Sequence, residues 1–173
     1  MDQKNRSKPF FREVQKVRQF WIWLIIIIIA GISWYAFVEQ IVMKGEFGTN
    51  PAPDIVQIIL WVVFGIIFPL FLPLTKLITE VRDNGIYIQL FPLHLTPRRI
   101  DFTKLKSYKV RTYKPIREYG GWGIRKGGQG MAYNMSGNQG VQLELYSGKR
   151  ILIGSQKPEE LFHAIERQVE QSH

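Results

Sequence analysis

Residue types able to carry out covalent or proton-transfer chemistry are sparse in this chain of 173 residues. Cysteine is absent, which removes thiolate metal sites, thiol nucleophiles and disulfides together. His94, His163 and His173 stand far apart, with no matching Cys or Asp beside them. A zinc hydrolase helix needs two histidines one turn apart with a glutamate between them, and a nucleophile elbow needs a serine framed by glycines. Neither spacing occurs, and the carboxylates do not cluster. No enzyme activity, resident metal or cofactor is expected.

Two glycine-rich stretches, Gly120-Gly121-Trp122-Gly123 and Gly127-Gly128-Gln129-Gly130, invite comparison with phosphate-cradling loops. A phosphate loop continues into Lys-Ser/Thr at the start of a helix, whereas Gly130 is followed by Met131-Ala132-Tyr133. These glycines read as strand turns and bulges. Around them Tyr119, Trp122, Arg125, Lys126 and Tyr133 form an aromatic and basic group. Rings and guanidinium groups of this kind suit a lipid headgroup or a partner peptide, and equally the packing of a small β domain. A denser basic run holds Lys104, Lys106, Lys109, Arg111, Lys114 and Arg117. Two readings fit it: attraction to an anionic membrane leaflet, or a solvated edge strand that resists pairing. Nucleic acid is not an expected partner; that reading would need exposed aromatics beside the charge.

The elements that must position these residues begin with two apolar runs. Phe20–Val38 carries no charge, and about nineteen residues at ~1.5 Å each approach the ~30 Å hydrocarbon core. Ile55–Leu74 is a second uncharged run. The first is too long for a signal sequence and has no small-residue cleavage site after it. Trp21, Trp23, Trp34 and Tyr35 flank it, as rings favouring the headgroup boundary do. Pro69 and Pro73 predict a bend in the second run. Neither run carries an acid, base or histidine at its centre, which argues against an ion pathway.

Charge sets the expected orientation. Residues 1–19 hold Lys4, Arg6, Lys8, Arg12, Lys16 and Arg18 against Asp2 and Glu13, and the chain after the second run is also basic. The connection 39–54 has Lys44 against Glu39, Glu46 and Asp54. Basic flanks stay in the cytoplasm, so both termini are expected inside, with the loop outside a cell membrane. In the N-terminal flank Phe10, Phe11, Val14, Val17 and Trp21 recur at helical spacing, predicting a short interfacial helix. Arg12, Lys16 and Arg18 would then either bind lipid or only fix topology. The expected divisions are a basic juxtamembrane segment 1–19, a transmembrane hairpin 20–78 and a cytoplasmic domain 79–173.

That domain reads as strands. Lys76–Arg82 leads through Asp83-Asn84-Gly85, a tight-turn sequence, into Ile86–Phe91. Further strands are predicted at 98–102, 106–113, 122–126, 130–133, 140–146 and 150–153. Pro158, Glu159 and Glu160 suit a helix start, and Leu161, Phe162, Ile165 and Val169 form its apolar stripe. The fold class expected is a membrane helix pair plus an α+β domain.

The stretch GIYIQLFPLHLTPRRIDFTKLKSYKV and the ending GVQLELYSGKRILIGSQKPEELFHAI together resemble bacterial pleckstrin-homology-like domains. The whole arrangement resembles a group of uncharacterised prokaryotic two-span membrane proteins carrying such a domain. The resemblance implies a bent β-barrel of about seven strands capped by a C-terminal helix, and no enzyme activity. Eukaryotic pleckstrin-homology domains that bind phosphoinositides use basic residues in the first hairpin loop, which Asp83-Asn84-Gly85 lacks. The function expected is a membrane-anchored, non-catalytic interaction or scaffold module. Its partners would be anionic lipids of the inner leaflet and a protein partner or second copy. The alternative is a subunit of a small oligomeric transport or channel assembly.

Overall fold

The computed structural model of the protein describes residues 8–171; Lys4 and Arg6 of the basic flank, and His173, lie outside them. The chain forms two compact units. One is Arg18–Leu74; the other joins the segment up to Val17 to everything from Thr75 onward.

The first unit is a pair of helices, Phe20–Val42 and Asp54–Leu74, each long and apolar enough to cross a membrane. Only 11% and 6% of their apolar windows are buried, the opposite of a helix pair in a soluble core. The first helix continues past Glu39 by a π-helical turn, Val38–Val42. Gln40 closes the connection, donating Nε2 to Ala52 O at 2.6 Å and Asp54 Oδ1 at 2.9 Å. The second helix is π-helical over Trp61–Ile67 before returning to α geometry. Pro69 has no N–H for the Gly65 carbonyl one turn back. The Trp34 indole donates to that carbonyl instead, at 3.2 Å. Trp61 stacks on Phe37 with centroids 4.0 Å apart and meets Trp34 edge-on.

The second unit holds two sheets. Strands β1 (Phe11–Lys16), β2 (Lys76–Arg82), β3 (Gly85–Phe91) and β4 (Arg98–Ile100) form an antiparallel sheet in that order. The other sheet contains β5 (Leu105–Thr112), β6 (Gly123–Gly127), β7 (Gly130–Asn134), β8 (Gln139–Leu145) and β9 (Arg150–Gly154), ordered β5-β8-β9-β7-β6. A short helix, Pro115–Tyr119, separates β5 from β6, and the C-terminal helix is Pro158–Gln171. Leu161 and Ile165 of that helix enter the shared core with Val81, Ile86, Ile88, Val141, Leu143 and Ile153. Mixed α+β content is as expected, but the expected barrel does not close: the strands fall into two separate sheets, and β7 runs parallel to β9.

The N-terminal flank departs most from expectation. Residues 11–16 are not an interfacial helix but the edge strand β1, paired with β2 from Phe11 opposite Val81 to Lys16 opposite Lys76. Its inward residues are Phe11, Glu13 and Gln15; Arg12, Val14 and Lys16 face out. Ladder hydrogen bonds and buried partners for Glu13 and Gln15 outweigh the weak amphipathicity of a helix here. Glu13 accepts from Ser155 Oγ at 2.6 Å and from the Gln156 N–H at 2.8 Å, while Gln15 Nε2 donates to Gly154 O at 2.7 Å. The apolar helix pair is thus inserted between two neighbouring strands of one sheet.

Candidate functional site

Strand alternation sends the outer residues of the first sheet to one surface. Arg12 Nε donates to Glu80 at 3.0 Å, and Arg82 Nε donates to the other oxygen of Glu80 at 2.9 Å. The Arg82 guanidinium lies 5.0 Å from the Tyr87 ring centre. Lys8, Arg12 and Arg82 thereby border a cavity of about 590 Å³ on this face, with Glu80 already shared between two of its cations. Lys16 and Arg18 are exposed and do not line it.

The basic run is largely answered by acids that sequence order does not show. Lys104 pairs with Asp101 at 2.9 Å, and Lys106 lies 3.8 Å from Glu144. The hydrogen bond from Lys104, with the charge of Arg99, holds the Asp101 carboxyl below the usual carboxylate range. Arg111 pairs with Glu118 and donates to Gln142 Oε1 at 3.2 Å. Lys109 and Lys114 are exposed. The run is therefore not one continuous cationic face.

The aromatic and basic group also divides. Tyr119 and Tyr133 are buried. Trp122 donates its indole N–H to Gly137 O at 3.0 Å, and Arg125 Nε donates back to Trp122 O at 3.0 Å. Lys126 faces a different cavity, of about 570 Å³, together with Arg98, Lys149 and Arg150. Those three cations were missed in the sequence because they lie in two other segments; the Gly-Lys-Arg of the β8–β9 turn was the available signal.

Among the described residues no group of three or more His, Asp or Glu side chains is placed to hold a metal. Tyr113 is a deeply buried ionisable hydroxyl, 2% exposed, whose ring meets Tyr119 edge-on. Burial pushes it up to about 12, while Asn134 pulls the other way. It stays neutral at physiological pH and offers no phenolate nucleophile. The sign of the linkage follows: below pH ~10 the hydroxyl is protonated both folded and unfolded, and between about 10 and 12 only the unfolded chain ionises. Stability is expected to fall by roughly 3 kcal/mol across that window, at ~1.4 kcal/mol per unit. Chemical unfolding of wild type and Tyr113→Phe from pH 9 upward measures this; the variant should show the shallower decline.

A family model described as "Family of unknown function (DUF6141)" matches residues 2–171, nearly the whole chain. The protein belongs to this family. The match takes in the strand β1, both apolar helices and the two-sheet unit, so the spliced arrangement falls within one family unit. No curated protein and no solved structure matches this DUF6141 chain.

Proposed function

We propose that this DUF6141 protein is a membrane-anchored, non-catalytic interaction module. Its two-sheet domain, read as pleckstrin-homology-like, is held at the cytoplasmic leaflet of the cell membrane, where it meets anionic lipid and a protein partner or second copy. The observation that carries this reading is the insertion of the helix pair between β1 and β2. Strands cannot pair across a bilayer, so the chain entering the first helix and leaving the second must lie on one side. Only Val17-Arg18-Gln19 and Thr75 separate the paired strands from the helices. The excess of Lys and Arg on that side, against an acidic connection, supports a cytoplasmic placement.

The absence of cysteine makes the test clean. Single replacements Gly48→Cys, in the connection, and Ser147→Cys, in the exposed β8–β9 turn, are treated in intact cells with a membrane-impermeant maleimide. Gly48→Cys should label at once and Ser147→Cys only after lysis. The reverse pattern would place the domain outside and end the proposal.

A further inference from the structure

Four cations from three stretches converge on a cavity whose wall, among the described residues, contains no carboxylate. Arg98 comes from β4, Lys126 from β6, Lys149 from the turn before β9, and Arg150 from β9 itself. The turn Gly127–Gly130 supplies one rim and Gly148 part of the other. Parallel pairing of β7 with β9 sets Met131 opposite Ile151 and brings these two turns together. A side chain at Gly130 would put its Cβ 2.3 Å from the Arg150 carbonyl oxygen, and the residue holds φ +107°. Glycine there is what permits the approach.

The charges are held in place rather than neutralised. Arg98 Nη1 donates to the buried Tyr133 hydroxyl at 2.7 Å, which orients the guanidinium without cancelling it. Among the described residues Arg150 Nη1 donates to the neutral Gln129 alone, at 3.5 Å. Glu144, opposite Arg150 in the ladder, is engaged by Lys106 at 3.8 Å and Ser107 at 3.4 Å. Lys126 and Lys149 make no ion pair among the described residues. Gathering four like charges in about 570 Å³ raises the local potential and favours an anion of matching charge. Two arginine forks and two mobile ammonium groups suit phosphate oxygens. The wall has no aromatic face on which a base could stack, which disfavours a nucleic-acid strand.

We propose that this pocket binds a multiply charged, phosphate-bearing anion, either the headgroup of a lipid or a soluble phosphorylated molecule. The inference names a ligand for the module described above and rests on that reading only for the lipid source. The test uses the full chain in phosphatidylcholine nanodiscs, titrated calorimetrically with tripolyphosphate at about 0.1 M salt, where distant surface charges are largely screened. Wild type should bind, and Lys126→Gln with Lys149→Gln should weaken binding by about tenfold, with each single change giving about threefold. Lys157→Gln with Arg167→Gln removes equal charge elsewhere and should alter affinity by less than about twofold. The single changes keep the test open if the double variant does not fold. No binding at millimolar tripolyphosphate, or an equal loss in the two double variants, would overturn the proposal. Nanodiscs containing phosphatidic acid are then compared with others of matched charge containing phosphatidylglycerol. Weaker tripolyphosphate binding with phosphatidic acid alone identifies a lipid phosphate as the occupant; equal binding identifies a soluble anion. Neutral nanodiscs make the first arm independent of which way the protein faces in a cell, so pocket and orientation can fail separately.

Discussion

Joining Val17 to Thr75 through a short Gly-Ser turn, in place of residues 18–74, is expected to give a folded domain that needs no detergent. A chain starting at Glu80 is expected not to fold. Lys16 and Lys76 are directly opposed at the end of the β1–β2 ladder, so a hairpin turn of a few residues can close it. The joined chain keeps every strand and the whole core. The truncated one loses β1 and the first half of β2, including Phe11 and Leu77, which are 7% and 1% exposed. Each buried side chain of that size contributes about 1.5–3 kcal/mol. Thr79 and the contacts of Glu13 and Gln15 with residues 154–156 go with them. Against a total of roughly 5–15 kcal/mol for a domain, that loss leaves little. Circular dichroism melting and gel filtration decide it: a cooperative transition at the same temperature in both chains would mean that β1 is dispensable.

Most of the regular structure could be read from local pattern. The Asp83-Asn84-Gly85 turn between alternating runs, the strand GVQLELY and the stripe of Leu161, Ile165 and Val169 each satisfy a short-range rule, and each forms where expected. Both apolar helices were equally plain. The strand β1 was not, because two of its three inward residues are polar. Alternation is recognised by apolar residues on the buried side, and Glu13 and Gln15 break the signal. What makes them acceptable inside the fold is 139 to 143 residues away in the chain. The same separation hid the pocket. Lys104 to Arg117 looked like a site because its charges are consecutive, yet Asp101, Glu118 and Glu144 answer half of them. Arg98, Lys126, Lys149 and Arg150 looked scattered, and the parallel pairing of β7 with β9, together with the hydrogen bond from Arg98 to Tyr133, gathers them. Parallel neighbours leave no turn sequence to announce them.

Glu13→Leu is expected to destabilise the domain by about 2–4 kcal/mol, although it replaces a buried charge with an apolar side chain of similar length. Glu13 is 8% exposed and Ser155 3%. The carboxylate accepts from the Ser155 hydroxyl, which in turn accepts from the Lys157 N–H at 2.9 Å, just before the C-terminal helix begins. Removing the acceptor leaves the hydroxyl and the Gln156 N–H without their partner, and hydrogen bonds to a charged group contribute about 1.5–3 kcal/mol each. Arg12→Leu, one residue away and facing out, removes only a surface ion pair and is expected to change stability by less than about 1 kcal/mol. Denaturant unfolding of the joined domain measures both. Adding Ser155→Ala to Glu13→Leu should cost less than the sum of the separate changes, since the two groups lose one shared interaction. If Glu13→Leu proved as stable as wild type, the inward face of β1 would be held by its ladder and Phe11 alone. The strand pairing on either side of the apolar helix pair would then owe nothing to this buried carboxylate.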